Sequence, residues 1–374
     1  MEWYQAAIVF CVAFAVTCCM VPVSKWIAVK IGAIDYPGNR RVNVDSVPRC
    51  GGIALYTGLL AACFSIYLGV RFFDWNMHDL YVLGDINYIV LFLGVTAMFT
   101  VGLVDDITQL SPGTKLLGQV LAAAVVVLSG VGIGAVRAVV VGDYFSFGWL
   151  DYPLTVLYLV VFVNITNLID GLDGLASGLV AIASSSLLYL VWMRGSFTLV
   201  LVCIALIAVC LAFLRFNFFP ASVFMGDSGS HLLGLSVGIV SVVGVVRTQS
   251  FVVMLIPLII AGVPVLDTLS AIIRRKRVHK PVDQADLGHI HHRLMRAGLS
   301  QKRSVAVLWL CSAALALTGC LIGSFSGAVQ GAIIAALAIV LFFVIWKFGL
   351  FKPVLRHHYD NKGRRGPRVP RHTR

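Results

Sequence analysis

Most of the chain runs in apolar blocks of roughly 20 residues separated by short polar connections, the length a helix needs to cross a bilayer. Eleven such blocks stand out, at 5–26, 51–70, 86–104, 115–133, 152–169, 174–193, 197–214, 228–246, 251–273, 304–323 and 328–347. They predict an all-α integral membrane protein of about eleven transmembrane helices, and an odd number of crossings puts the two termini on opposite faces. One connection breaks the pattern: in 134–151, β-branched and aromatic residues flank Gly142-Asp143, which predicts a small β-hairpin without a catalytic role. No internal repeat or composition break divides the chain. Residues 1–350 are expected to form a single polytopic domain, and 351–374, basic and interrupted by Pro353, Pro367 and Pro370, a disordered tail.

Composition agrees with this reading. The 374 residues are 59% apolar and 12% charged, about half the charge of soluble domains, and the mean hydropathy is +0.92. The net charge of +12 resolves into an orientation signal. With the N-terminus outside, the inner connections and the C-terminal tail hold 25 of the 29 Lys and Arg, whereas the outer connections hold only Arg71, Arg137, Arg194 and Arg247. The basic charge therefore needs no nucleic acid to explain it. The first block lacks a basic leader, follows Glu2 and is longer than a signal-peptide core, so it is expected to stay as the first helix. Eight of the nine cysteines fall inside apolar blocks, Cys50 does not, and none has C-x-x-C spacing. That argues against a disulfide framework and a zinc site.

Chemistry-bearing residues gather at block ends on the inner side. Asp105-Asp106 close the third block and lead to Lys115 at the start of the fourth. At the end of the fifth lies Asn164-Ile-Thr-Asn167-Leu-Ile-Asp170-Gly-Leu-Asp173-Gly174. Its spacing of three puts polar groups on one helical face, and its glycines let backbone approach a ligand. Phe224-Met-Gly226-Asp227-Ser228-Gly-Ser230-His231 opens the eighth block; small residues, hydroxyls and amides at a helix N-terminus suit a phosphate and its metal. After the ninth block come Asp267, the run Arg274-Arg275-Lys276-Arg277, and Asp286-Leu287-Gly-His289-Ile-His291-His292-Arg293, groups that bind polyphosphate oxygens or shuttle a proton. Each cluster has a plainer reading: a solvated helix cap for Asp105-Asp106, an N-cap for Asp227-Ser228, inside-positive markers for the arginines. Four clusters on one face weigh against taking all of them that way. An Asp at mid-bilayer costs about 3 kcal/mol, a cost that largely disappears at block ends. The hard oxygen donors on offer, without thiolates, favour Mg²⁺ or Mn²⁺ over zinc.

The segments DDITQLSPGTK, NLIDGLDGLASG, FMGDSGS and HIHHRLMRAGLS resemble the signatures of the polyprenyl-phosphate sugar-1-phosphate transferases. The resemblance implies transfer of an N-acetylhexosamine 1-phosphate from a UDP-sugar to undecaprenyl phosphate, with Mg²⁺ (or Mn²⁺), release of UMP and initiation of a lipid-linked glycopolymer at the cytoplasmic face of a bacterial membrane. H-I-H-H-R-L is similar to the branch that uses UDP-N-acetylglucosamine, whereas the muramoyl-pentapeptide branch shows three consecutive histidines. Two positions depart from the pattern: Asn43 stands where the family usually has His, and Leu287 where this branch usually has Arg. By resemblance, Asp227 and Asp170 fall to the metal. Asn164, Asn167, Asp173, Arg274, Arg275 and Ser228 fall to the substrates, and Lys115, His289, His291 and His292 to the phosphates. Asp105 and Asp106 are left to bind or deprotonate the lipid phosphate, by direct displacement in preference to a covalent aspartyl intermediate. The partners so implied are a UDP-sugar, undecaprenyl phosphate and membrane lipid, with a homodimer left open. Alternatives are another UDP-sugar, UDP-MurNAc-pentapeptide included, an ion-coupled transporter, and a purely structural scaffold.

Overall fold

Each of the eleven apolar blocks coincides, wholly or in its described part, with a helix. The computed structural model describes residues 2–36, 46–75, 86–137, 144–246, 262–277, 290–325 and 328–348. The helices are α1 (Trp3–Ile31), α2 (Gly52–Phe72), α3 (Tyr88–Thr108), α4 (Pro112–Leu128), α5 (Asp151–Ile169), α6 (Leu175–Met193), α7 (Phe197–Asn217), α8 (Gly226–Ser241), α9 (Gly262–Arg277), the short α10 (Ile290–Arg296), α11 (Gln301–Ser324) and α12 (Ala328–Phe348). Among the described residues seven helices have the length and apolar composition to cross a membrane, which marks the protein as membrane-embedded. The tail and the first part of the ninth block lie outside the described residues.

Local chemistry sets the helix ends. Asn87 caps α3 by accepting from the amides of Ile89 and Val90 at 3.1 and 3.2 Å. At the other end Gln109 turns left-handed, φ 53°, and its amide returns to the Asp105 carbonyl. Ser111 then caps α4 with Pro112 in its first turn, where a missing N–H costs nothing. This starts α4 three residues ahead of the expected boundary and places Lys115 within the first turn rather than at its edge.

Helix α8 is the hub. It packs against α2, α3, α5, α6 and α7, and almost all of its residues are buried. Outward-facing residues of the surrounding helices are apolar, as at Ile89 of α3, Leu117 of α4 and Leu310 of α11. Lipid tails are as apolar as these side chains, so close backbone packing rather than the hydrophobic effect must hold such helices together. Glycines permit it. A Cβ on Gly102 of α3 would meet the Asp227 carbonyl oxygen at 2.5 Å, and one on Gly52 of α2 would run into Ser228.

Among the described residues two small antiparallel sheets complete the fold. Strands β3 (Ala135–Arg137) and β4 (Tyr144–Ser146) pair Val136 with Phe145, which is the hairpin read from the sequence. Strands β1 (Ile34–Asp35) and β2 (Val47–Pro48) pair Ile34 with Pro48. Nothing in the sequence announced this second pair, because strands of two residues are too short to show an alternation. It fixes the segment entering α2: Phe224 N–H donates to the Pro48 carbonyl at 2.8 Å, Gly51 N–H to Phe224 at 3.0 Å and Gly52 N–H to Met225 at 2.9 Å.

Candidate active site

The C-terminal ends of α3 and α5 meet the N-terminal ends of α2, α4 and α8 at one end of the bundle. Lys115, from α4, stands at the centre. Its Nζ lies 2.5 Å from Asp227 Oδ2 and 3.2 Å from Asp105 Oδ2, and it donates to Asn167 Oδ1 at 3.3 Å. Asn167 in turn donates through Nδ2 to Asp227 Oδ1 at 2.6 Å and to Ser230 Oγ at 3.0 Å. One ammonium thus joins carboxylates from α3 and α8 to an amide from α5, 112 residues separating Lys115 from Asp227 in sequence.

The adjacent carboxylates of α3 have different surroundings. Asp105 accepts from the Leu110 amide at 2.7 Å and turns its other oxygen to Lys115. Asp106 points the other way, its side chain wholly buried. It accepts from the amides of Asp227 and Ser228 at 2.7 and 3.0 Å and from the Ser228 hydroxyl at 2.6 Å, and it pairs with Arg49 Nη2 at 3.2 Å. Asp106 therefore caps a helix to which it does not belong, satisfying first-turn amides of α8 that would otherwise be orphaned. Gly226, at φ +72°, makes room: a Cβ there would lie 2.5 Å from Asp106 Oδ2. Ser228, expected to meet substrate, is a buried donor to Asp106. Asp227, relieved of capping, keeps its carboxylate for the site.

The D-G-L-D loop follows α5. The Asp170 carboxyl is pushed up to about 8, first by burial and then by the neighbouring charges of Asp227 and Asp106. Asp173 accepts from the Ala221 amide at 2.9 Å. Asn217 ties the same loop to α7, accepting from Gly174 N–H and Ser177 Oγ at 3.1 Å and donating to the Val223 carbonyl at 2.9 Å. Asn164 lies one turn deeper and donates to Gln119 Oε1 at 2.7 Å and to the Val160 carbonyl at 2.9 Å. With its oxygen so engaged, Gln119 presents Nε2 to His231 Nε2 at 3.0 Å. His231 is then the Nδ1-protonated tautomer, and its Nδ1, fully buried, finds no partner among the described residues.

Of the remaining expected residues, His289 lies outside the described residues, as do Asn43 and Leu287. Arg274 and Arg275 are on α9, and His291 and His292 on α10; their side chains are not described. The two helices are joined where the Ile290 amide donates to Asp267 Oδ1 at 2.7 Å. Sequence reading missed Arg49, counted only as an inside-positive marker, and Gln119 and Asn217, and it gave His231, quoted in the third cluster, no role. Their partners sit on other helices, so no local spacing signals them.

Asp170 supplies a test of these electrostatics. A carboxyl raised in the folded protein binds its proton more tightly there than in the unfolded chain, so the fold is penalised as pH rises above about 4 and fully so beyond about 8. Asp170→Asn removes that penalty. In detergent with EDTA, its melting temperature is expected to match the wild type near pH 4 and to exceed it by several degrees at pH 8.5.

Fold and site together define a membrane-embedded protein with an acidic cradle, closed by one lysine, at one end of a helix bundle. Residues 88–245 match the profile of Glycosyl transferase family 4. The chain is 37% identical over 308 residues to the Bacillus subtilis (strain 168) protein named "Probable undecaprenyl-phosphate N-acetylglucosaminyl 1-phosphate transferase", covering 82% of each chain. It is 33% identical over 345 residues to the decaprenyl-phosphate N-acetylglucosaminephosphotransferase of Mycolicibacterium smegmatis (strain ATCC 700084 / mc(2)155), covering 85% of this chain and 82% of that one. Against the Escherichia coli (strain K12) undecaprenyl-phosphate alpha-N-acetylglucosaminyl 1-phosphate transferase the identity is 26% over 354 residues, with 91% and 92% covered. The chain belongs to glycosyl transferase family 4, and it is an enzyme of the phosphoglycosyltransferase kind.

Proposed function

We propose that the protein transfers N-acetylglucosamine 1-phosphate from UDP-N-acetylglucosamine to undecaprenyl phosphate and releases UMP. The observation that carries this reading is the junction of Lys115 with Asp105, Asn167 and Asp227, at the helix ends where a water-borne nucleotide sugar meets a lipid-borne acceptor. The eleven crossings and outside N-terminus expected from the sequence would put that end of the bundle at the cytoplasmic face of a bacterial membrane, where the basic connections gather. A proton or ion relay would sit near the midplane on broken helices, a placement this cluster does not share, so the transporter reading loses its support.

In the reaction an oxygen of the acceptor phosphate attacks the β-phosphorus of the nucleotide sugar, a new P–O bond forms, the bond to the bridging oxygen breaks and UMP leaves. A phosphate monoester with a second pKa near 6 is already mostly dianionic at pH 7, so the acceptor needs orientation more than deprotonation. Lys115 offsets charge on the reacting phosphates. Asn167 fixes the direction of the Asp227 carboxylate, and Asp106 holds the α8 end that carries it. Asp227, with Asp170 beside it, fits a divalent cation such as Mg²⁺: the donors are hard oxygens, and among the described residues no hydrogen-bond donor reaches the Asp170 carboxylate while carboxylate charge presses on it. When bound, such an ion supplies Lewis-acid neutralisation of the diphosphate oxygens. The sequence motif adds His289, His291 and His292 for the phosphates and Arg274 and Arg275 for the substrates.

Purified protein with Mg²⁺ and UDP-N-acetylglucosamine is expected to release UMP only when undecaprenyl phosphate is added. Release with another UDP-sugar alone would move the donor assignment to the departure at Leu287, and no release with any donor would end the transferase reading.

A further inference from the structure

We infer that Arg49 is a substrate-contacting residue of this reaction, whose guanidinium, aimed by Asp106, takes phosphoryl oxygens beside Asp227. The inference rests on the transferase reading and adds to it a cation from a part of the chain that carries none of the recognised motifs.

The Pro48–Gly52 segment is joined through its backbone to Phe224 and Met225, and Arg49 N–H donates to the Ala33 carbonyl at 3.0 Å. Arg49 is thus anchored to the turn that delivers Asp227. Its Nη2 lies 3.2 Å from Asp106 Oδ1 and 4.0 Å from Asp227 Oδ2, the oxygen that Lys115 approaches from its own side at 2.5 Å. Two cations, one from the segment before α2 and one from α4, therefore flank one carboxylate oxygen, an arrangement that phosphate oxygens can bridge.

A guanidinium carries five N–H donors in a fixed fork, and Asp106, whose other oxygen already accepts from Ser228, occupies the Nη2 corner. The Arg49 side chain is 21% exposed although its Asp106 partner is 0% exposed, so the arginine keeps contact with solvent beside a buried anchor. Neutralising Asp106 alone would need only a positive charge; binding phosphate through two parallel hydrogen bonds needs the fork. That difference separates substrate contact from a structural ion pair.

The test compares Arg49→Lys with the wild type, with melting temperature in detergent as control. The fork is lost while the charge stays. The expected result is a fold of unchanged stability and a kcat/KM lower by about 10- to 100-fold for at least one substrate. A rise in KM for undecaprenyl phosphate assigns the acceptor phosphate to Arg49; a rise in KM for UDP-N-acetylglucosamine assigns the donor diphosphate. Wild-type constants for both substrates would overturn the inference, as would recovery of activity in an Arg49→Gln, Asp106→Asn double variant. Should Arg49→Lys fail to fold, the unmodified protein decides. Labelling of Arg49 by phenylglyoxal, read by mass spectrometry, is expected to be blocked by one of the two substrates, and labelling unaffected by either would sink the idea. Wild-type protein that releases no UMP with any donor would instead reject the transferase reading, so the two failures are distinguishable.

Discussion

Asp227→Asn is expected to lower UMP release by about a thousandfold or more while leaving the helix bundle folded. The loss follows from two functions of one carboxylate. In the proposed reaction it is an anionic oxygen donor to a divalent cation, a contribution of several kcal/mol to phosphoryl transfer, and it also accepts from both Lys115 Nζ and Asn167 Nδ2. An asparagine can offer its oxygen to only one of those donors, and its amide must face the other. The fold survives because the α8 amides are capped by Asp106 and not by Asp227. Melting temperature, UMP release and Mn²⁺ binding by electron paramagnetic resonance, taken on the same preparation, check this. Retained turnover would remove Asp227 from the metal position.

Lys115→Met should cost about a hundredfold or more in turnover, the scale seen when one preorganised hydrogen-bond donor to developing charge is removed. Unlike the first variant, it should also lower stability. The ammonium that lies between Asp105 and Asp227 is gone, and breaking a largely buried pair by deleting one partner leaves unpaired charge behind, at a cost of about 3 kcal/mol. Divalent cations should therefore raise the melting temperature of Lys115→Met by more than they raise that of the wild type. Equal shifts would mean that the lysine and the cation do not share the Asp227 carboxylate.

What the sequence disclosed and what it hid divide along a physical line. A bilayer demands about 20 apolar residues per crossing, so helix positions were legible as length alone; even α4, whose start moved from Lys115 to Pro112, was displaced only by a serine cap. The motif residues Asp105, Lys115, Asn167 and Asp227 were legible because polar groups at the ends of apolar blocks have few other uses. Arg49 was hidden by its own residue type, since an arginine on the inner side is ordinary. Gln119 and His231 were hidden because a polar residue inside an apolar block says nothing of its partner until α4, α5 and α8 are packed together. The separate roles of Asp105 and Asp106, neighbours in sequence, appear only when α3 meets α8.

The Asp106 cap has a further consequence for how charge is handled. A helix N-terminus carries about half a positive charge and commonly serves as a ready anion site. In this protein the positive pole of α8 is already neutralised by a carboxylate of the protein itself. The reactants' negative charge must then be met by discrete cations, each on its own side chain or metal ion, and each removable by a single substitution. Affinity for phosphate is in that sense modular: it resides in separable point charges rather than in the dipole of α8.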